Sequence, residues 1–143
     1  MILLRPLLRS ATTNDSLRIQ ELLQLTGLWV DGLDWSELQG WFVAEHKSVV
    51  IGALQVLMGK PLGVILYIVV DPEYHSSGVG LALTHLAEHL LAINGSDGTL
   101  GFSNAPEFIN MAERRNYIET GDEFKVFIRR NWRGRKDENK DIQ

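Results

Sequence analysis

The chain of 143 residues is predicted to form one globular domain, because 45% hydrophobic and 22% charged residues are ordinary proportions for such a protein. Its net charge of −4 argues against general nucleic-acid binding, and its longest apolar runs have the length of strands, which is too short for a membrane span. The absence of cysteine excludes disulfides and thiol catalysis in this chain. We therefore expect a cytoplasmic protein with no nucleic-acid or membrane partner.

The first part of the chain predicts a strand and a helix. Residues 2–9 carry enough leucine for a first strand, and Pro6 favours a position at the edge of a sheet. The polar residues 12–15 indicate a helix start, and Gly27 indicates the end of a helix over about residues 15–26. The apolar side of this helix is predicted to carry Leu17, Leu22, Leu23 and Leu25.

A stretch rich in tryptophan and carboxylates, residues 29–38, follows the helix and predicts a loop with a short helix. Two interpretations are open. The indoles could cap the hydrophobic core, or the stretch could form a wall of aromatic and acidic groups that binds an acceptor substrate. The candidate substrate-binding residues are Trp29, Asp31, Asp34 and Trp35.

Three strands are predicted next. Residues 41–45 and 49–57 form a hairpin around a turn at residues 46–48. Residues 64–70 are an uninterrupted apolar run, which is the pattern of a strand buried on both faces, and Pro72 ends it.

The chain then turns through two glycines into a long helix that ends near residues 94–95. Gly78 and Gly80 let a ligand approach the backbone, and the unpaired N–H groups of a first helical turn attract an anion. The turn therefore predicts a pyrophosphate site, and the alternative is that the glycines serve helix packing alone. Apolar residues recur along this helix at spacings of three and four, at Val79, Leu83, Leu86, Leu90 and Ile93.

The rest of the chain predicts a mixed sheet and one further helix. A short strand at residues 99–103 follows the long helix, and a strand, helix, strand order requires a parallel crossover. Residues 106–115 predict a helix and residues 117–129 a final hairpin. We expect one domain over residues 1–130 and a flexible tail over residues 131–143, which are charged and lack apolar periodicity.

The run His75-Ser76-Ser77-Gly78-Val79-Gly80, together with the preceding residues 70–74, resembles the central motif of the GNAT family of acyl-CoA-dependent N-acyltransferases. That motif reads Gln or Arg, two residues, Gly, one residue, Gly or Ala, so His75 is a departure from it. The order of elements agrees over about residues 2–130. The resemblance implies a mixed α/β GNAT fold: a mostly antiparallel sheet with a splayed central pair of parallel strands, flanked by helices.

The resemblance also implies acetyl-CoA as acyl donor. Its pyrophosphate would lie on backbone amides of residues 76–81, and its pantetheine arm would pair with the strand at residues 68–70. Asn104 and, more loosely, Asn110 stand near the asparagine of the second family motif, although each could equally be a helix cap or turn residue. The implied cofactor-binding residues are Ile68, Val69, Val70, His75, Ser76, Ser77, Gly78, Val79, Gly80, Leu81 and Asn104.

The catalytic groups are less evident. Aligning residues 116–117 with the family's Gly-Phe pair puts Ala112 where many members have a general-acid tyrosine. Tyr67 is a candidate acid and Glu45 a candidate base, but a buried tyrosine bonded to backbone and a surface glutamate are the structural alternatives. The amine could also lose its proton to water.

One further motif competes with this interpretation. His85, Glu88 and His89 follow the H-x-x-E-H order of inverted zinc peptidases. They are predicted to lie opposite the apolar stripe of the long helix, on a solvated face with no third protein ligand. We therefore expect no metal site.

The leading hypothesis is an acetyl-CoA-dependent N-acetyltransferase, in which an amine on a small molecule or protein attacks the thioester directly. The alternative is a non-catalytic GNAT-fold module that binds CoA or a partner protein. A homodimer is compatible with both.

Overall fold

The computed structural model describes residues 3–28, 33–102, 106–120 and 126–130. The chain divides into two compact units: Met1–Val56 with Tyr67–Leu86, and Leu57–Leu66 with Ala87–Gln143. Residues 131–143, for which a flexible tail was predicted, lie outside the described residues. Across those ranges, no helix combines the length and the apolar character that crossing a membrane requires.

The first unit contains the strands β1 (Leu7–Ser10), β2 (Trp41–His46) and β3 (Val49–Leu57), the helix α1 (Ser16–Leu25), the end of β4 (Leu62–Val70) and the start of α2 (Val79–Ile93). Its strand order is β1-β2-β3-β4, with β1 and β3 antiparallel to β2. The predicted edge position of the first strand and the predicted hairpin are therefore confirmed. β1 is shorter than predicted, because residues 3–6 are not in a strand.

Helix α1 begins after a capping interaction in which the N–H of Thr12 donates to Asp15 Oδ2 (2.8 Å), and the chain leaves it through Gly27 at a φ of +74°. Its buried face consists of Ile19, Leu22 and Leu23. The predicted leucine face was wrong in part, since Leu17 and Leu25 are 78% and 55% exposed. Ile19 lies three and four positions before Leu22 and Leu23, so it completes the buried face, and Leu17 and Leu25 lie outside it. The described part of the following loop, residues 33–40, contains no helix.

The core of the first unit lies between α1 and the sheet. Its buried members are Ile19, Leu22, Leu23, Trp41, Val43, Val50, Ala53 and Val69. On β3, Gly52 allows the first turns of α2 to approach closely: a Cβ there would lie 3.1 Å from Leu83 Cδ1, Val79 Cγ1 and Val69 O. The first turns of α2 therefore pack directly on β3 at this glycine.

The apolar run of β4 predicted a strand buried on both faces, and this prediction was wrong. Ile65 and Val69 are buried, whereas Leu66 is 42% exposed. An apolar run shows that a strand can be covered on both faces, but whether other elements cover it depends on tertiary packing.

The second unit contains the beginning of β4, the end of α2, β5 (Gly98–Phe102), α3 (Pro106–Arg114), β6 (Ile118–Thr120) and β7 (Val126–Arg130). Its strand order is β4-β5-β7-β6. β4 and β5 are parallel, and β7 is antiparallel to both β5 and β6. The parallel register runs from Leu62↔Gly98 to Ile65↔Gly101, while β4 continues to Val70. The predicted parallel crossover and final hairpin are confirmed.

The predicted apolar stripe of helix α2 is correct at Val79 and Leu83 and wrong at the three later positions. Val79, Leu83, Ala87 and Leu91 are fully buried at intervals of four residues. Leu86 and Leu90 are only half-buried, and Ile93 is 63% exposed. Each residue that was predicted to be buried after Leu83 is next in sequence, or one position further, to a residue that is buried.

This shift explains why Glu88 is buried, which contradicts the predicted solvated His-Glu-His face. Glu88 forms an ion pair with Arg115, and its Oε2 accepts a hydrogen bond from the hydroxyl of Tyr117 (2.7 Å). His85 and His89 are exposed, as expected. Within the ranges that the structure describes, no three histidine, aspartate or glutamate side chains are grouped as metal ligands.

Candidate functional site

The candidate site is the turn that joins β4 to α2, which lies within the first unit. Asp71 begins it, a 3-10 turn covers Pro72–Tyr74, and α2 starts at Val79. The backbone passes through the left-handed region at Ser76 (φ +65°) and at Gly78 (φ +89°). These reversals bring the start of α2 to the end of β4.

The first amides of α2 have no acceptor among the residues that the structure describes. The first helical bond runs from the N–H of Ala82 to the carbonyl of Gly78 (3.0 Å). In the described ranges of the chain, the N–H groups of residues 78–81 donate to no protein group. A helix N-terminus with free amides and a partial positive charge binds anions readily.

The two glycines of the motif differ in what the fold requires of them. Gly78 needs its positive φ, and a Cβ there would lie 3.1 Å from Leu3 Cδ2. Gly80 has no such φ, and a Cβ there would meet only Val70 Cγ2, at an ordinary 3.6 Å. Neither the backbone conformation nor the packing of the described residues therefore requires glycine at position 80. The space that a side chain would fill there is open to a ligand.

The serines of the motif are used differently. Ser77 donates both its N–H (3.2 Å) and its hydroxyl to the carbonyl of Tyr74, and its own carbonyl accepts from the N–H of Leu4 (2.9 Å). Ser76 is exposed. Ser77 thus holds the turn in shape, whereas the surface at Ser76 is free for a ligand.

His75 folds back onto the strand. Its Nε2 lies 3.2 Å from the carbonyl oxygen of Val70, and the ring is exposed. A phosphate contact from the same nitrogen would require this bond to be given up. The peptide that follows Val70 is also held at its other end, because the N–H of Asp71 donates to the carbonyl of Ile51 (2.8 Å).

Asp71 anchors the turn through its side chain. Oδ1 accepts the N–H of Glu73 (3.0 Å), and Oδ2 accepts Nη2 of Arg18 (2.6 Å). The Glu73 N–H, with Arg18 adding to it, holds the pKa of the Asp71 carboxyl below its ordinary value despite burial. No sequence pattern indicated Arg18, which stands 53 positions from its partner.

The residues that the resemblance predicts to hold the pantetheine arm lead directly into this turn. Val69 is buried, and Ile68 and Val70 are half-buried. They follow the last residue of β4 that pairs with β5, which is Ile65. Asn104 lies outside the described residues.

The two candidate catalytic residues are not brought together. The half-buried ring of Tyr67 stacks on Trp41, with ring centroids 5.8 Å apart and planes at 10°. Trp41 is the first residue of β2, whereas Glu45 is near the end of that strand and forms an ion pair with Arg9 (3.2 Å). Strand geometry separates those two ends of β2 by roughly 13 Å. Ala112 on α3, which the sequence resemblance predicts to take the position of a general-acid tyrosine, is fully buried.

The described part of the aromatic and acidic stretch agrees with the core-capping interpretation at Trp35, and the acceptor-binding interpretation stays a prediction. Trp35 is half-buried, packs on the core and contacts Trp41 at a centroid distance of 5.7 Å, as a core-capping indole would. Asp34 is exposed, and hydrogen bonds from the hydroxyl and N–H of Ser36 lower the pKa of its carboxyl. Trp29 and Asp31 lie outside the described residues.

Known structures share this architecture. Rv2747 from Mycobacterium tuberculosis, in complex with CoA and NLQ, is 22% identical over 81% of this chain and 74% of its own, with a TM-score of 0.69. Ard1 from Thermoplasma volcanium is 14% identical over 89% and 98% of the two chains, with a TM-score of 0.75. The PaiA N-acetyltransferase from Thermoplasma acidophilum, in complex with coenzyme A, is 12% identical over 90% and 100%, with a TM-score of 0.75.

These likenesses confirm the predicted mixed α/β GNAT fold. Comparison with the curated proteins gave no significant match. The model of the acetyltransferase (GNAT) family matches residues 9–117, which is well over half of the sequence. The chain therefore belongs to the GNAT acetyltransferase family.

Proposed function

We propose that this protein is an N-acetyltransferase that uses acetyl-CoA as acyl donor and an amine as acceptor. Membership of the family supports acetyl transfer from acetyl-CoA as the general activity. The observation that carries the proposal is the turn from β4 to α2, where free amides surround a glycine that the fold does not require. The acyltransferase domain would cover residues 1–130.

The amides of residues 78–81 would hold the pyrophosphate of CoA. Hydrogen bonds to a charged group contribute about 1.5–3 kcal/mol each, and the helix dipole adds about 0.3–1 kcal/mol. The pantetheine arm would lie along the end of β4 as an additional strand, bonded to the backbone of Ile68, Val69 and Val70. His75, Ser76 and Leu81 would border the phosphates.

The transfer step would be direct. The lone pair of a neutral amine forms a C–N bond to the thioester carbonyl, and the oxyanion that develops is held by a strand N–H near Val70. The C–S bond then breaks, CoA leaves as a thiolate, and the amine loses its extra proton. Because the ordinary pKa of a thiol is about 8.5, a thiolate can leave at neutral pH without an acid.

Water is the proton acceptor that this geometry favours. Glu45 is engaged by Arg9, and Tyr67 stands at the opposite end of β2, packed on Trp41. Position 112 offers no acid, and a tyrosine placed at this fully buried alanine would overpack the site. The PaiA protein of similar structure is an N-acetyltransferase, which supports an amine as acceptor. Asp34 and Trp35, with Trp29 and Asp31, remain the proposed acceptor-binding residues.

The second candidate function is a module that binds CoA without catalysis. The alanine at position 112 and the ion pair that engages Glu45 both favour it. Incubating the protein with acetyl-CoA and a panel of primary amines, while free thiol is measured, separates the two. Release of CoA that depends on the amine supports the transferase, whereas CoA binding without release across the panel supports the module.

A further inference from the structure

Arg18, on α1, links elements that are distant in sequence. Its Nη2 donates to Asp71 Oδ2 (2.6 Å), its Nε donates to the carbonyl of Val50 (2.9 Å), and its Nη1 pairs with Glu21 on the same helix. The side chain of Arg18 is 24% exposed and that of Asp71 is 13% exposed. The forked guanidinium is suited to holding several acceptors in one fixed arrangement.

The backbone that Arg18 holds is a β-bulge. Ala44 of β2 faces Gly52 of β3, but the next residue, Glu45, faces Val50, so Ile51 is the extra residue. The carbonyl of Ile51 accepts the N–H of Asp71 (2.8 Å). Arg18 therefore fixes the residue before Ile51, and Ile51 in turn fixes the backbone of Asp71.

Asp71 is consequently held twice, through its N–H and through its carboxylate. Its second carboxylate oxygen accepts the N–H of Glu73 and shapes the 3-10 turn that leads to the glycines. The residue after the bulge, Gly52, is where the first turns of α2 pack against β3. The bulge thus supports the turn at both of its ends, at Asp71 and at the start of α2.

We propose that Arg18 is a positioning residue for cofactor binding: by holding Asp71 and the bulge of β3, it sets the direction in which the amides of residues 78–81 point. This inference rests on the proposed function, because those amides are taken as the pyrophosphate site. Donors that are already oriented bind a ligand more tightly than donors that must be ordered on binding.

The test measures CoA affinity by calorimetry in wild type, Arg18→Met and Arg18→Lys, at a temperature where all are folded. Arg9→Met is the matched control, since Arg9 also bonds two carboxylates, Asp15 and Glu45, and its contacts in the described residues lie outside the turn. Arg18→Met should weaken CoA binding roughly tenfold, the loss expected for one charge-assisted hydrogen bond. Arg18→Lys should recover part of that loss, and Arg9→Met should bind CoA as wild type does.

A second variant, Asp71→Asn, closes a double-mutant cycle. Combined with Arg18→Met, it should add little further loss of CoA affinity, because both variants break the same contact. Unchanged affinity in Arg18→Met, or an equal loss in Arg9→Met, would overturn the inference and leave the proposed function intact. Failure of the wild type to bind CoA would refute the proposed function and this inference with it.

Discussion

Helix α2 carries two polar features that contrast with each other. At its start, the N–H groups of residues 78–81 have no acceptor in the described protein. Further along, Glu88 is 5% exposed, and its carboxylate is bonded by both Arg115 and Tyr117. Removing one partner from a buried polar cluster that is satisfied destabilises the fold, whereas polar groups left without a protein partner are available to a ligand. The comparison therefore distinguishes, within a single helix, polar groups that the fold itself uses from polar groups that are proposed to bind the cofactor.

Breaking the satisfied cluster should have the largest effect. Glu88→Ala leaves the Arg115 guanidinium and the Tyr117 hydroxyl without their shared carboxylate, and loss of one partner from a buried ion pair costs about 3–5 kcal/mol. Urea unfolding measures the loss. Glu113→Ala, which removes an exposed glutamate from α3, is the control and should change stability by less than about 0.5 kcal/mol. Equal stability of the two variants would mean that the cluster is not structural.

Filling the space at the start of α2 should have the opposite effect: CoA binding should be lost while the stability of the fold changes little. Gly80→Glu places a side chain and a negative charge among the free amides, and a carboxylate in a first helical turn is favourable by about 0.3–1 kcal/mol. We expect CoA affinity to fall at least about a hundredfold, the equivalent of about two hydrogen bonds to a charged group. Gly80→Gln separates the volume from the charge. Wild-type CoA affinity in Gly80→Glu would show that the phosphates lie elsewhere.

Asp71 extends the comparison, because it is a satisfied group that belongs to the site. Its pKa is lowered in the folded protein, so its contribution to stability is present above its unfolded pKa of about 3.9 and is lost as the pH falls through the lower, folded value. The acid limb of wild-type stability should therefore be steeper than that of Asp71→Asn. Asp34→Asn is the comparison: the pKa of Asp34 is lowered too, but its hydrogen bonds in the described residues are exposed and come from Ser36, so its loss should flatten the acid limb less than the loss of Asp71 does. Parallel acid limbs in wild type and Asp71→Asn would contradict this account.

His75 should have the smallest effect. Because its Nε2 faces the carbonyl of Val70, and backbone amides are taken to hold the phosphates, His75→Ala should weaken CoA binding by less than about threefold. His75→Arg, which restores a residue of the family motif, should bind CoA at least as tightly as wild type, because its charge can reach the phosphates. A tenfold loss in His75→Ala would show that the imidazole itself contacts the cofactor.

The elements that were predicted correctly depend on short-range patterns. The hairpin of β2 and β3, the helix α2 and the parallel crossover follow from apolar runs, glycines and strand order, all of which are local. The burial of Glu88 could not be predicted, because its partners Arg115 and Tyr117 stand 27 and 29 positions away. The error in the predicted buried face of α2 also arises from missing tertiary information. Leucines on both sides of the buried stripe fit the helical spacing of three and four residues, so the spacing alone cannot tell which of them are buried.

The candidate site divides in the same way. The glycines indicated the turn, but only the backbone shows that the fold requires glycine at 78 and leaves position 80 free for a ligand. The separation of Tyr67 from Glu45 depends on strand register, which their positions in the sequence do not reveal. Arg18 was missed because an arginine on an amphipathic helix is ordinarily a solvated side chain.

The central claim is that the amides at the start of α2 bind the pyrophosphate of CoA, and an amide-resolved NMR titration tests it most directly. The 15N-labelled protein is titrated with CoA while the backbone resonances of residues 76–81 are followed. New hydrogen bonds from those amides to phosphate should move the resonances of Gly78, Val79, Gly80 and Leu81 furthest, saturating together at one dissociation constant. Saturable CoA binding that leaves these four amides unmoved would contradict the account.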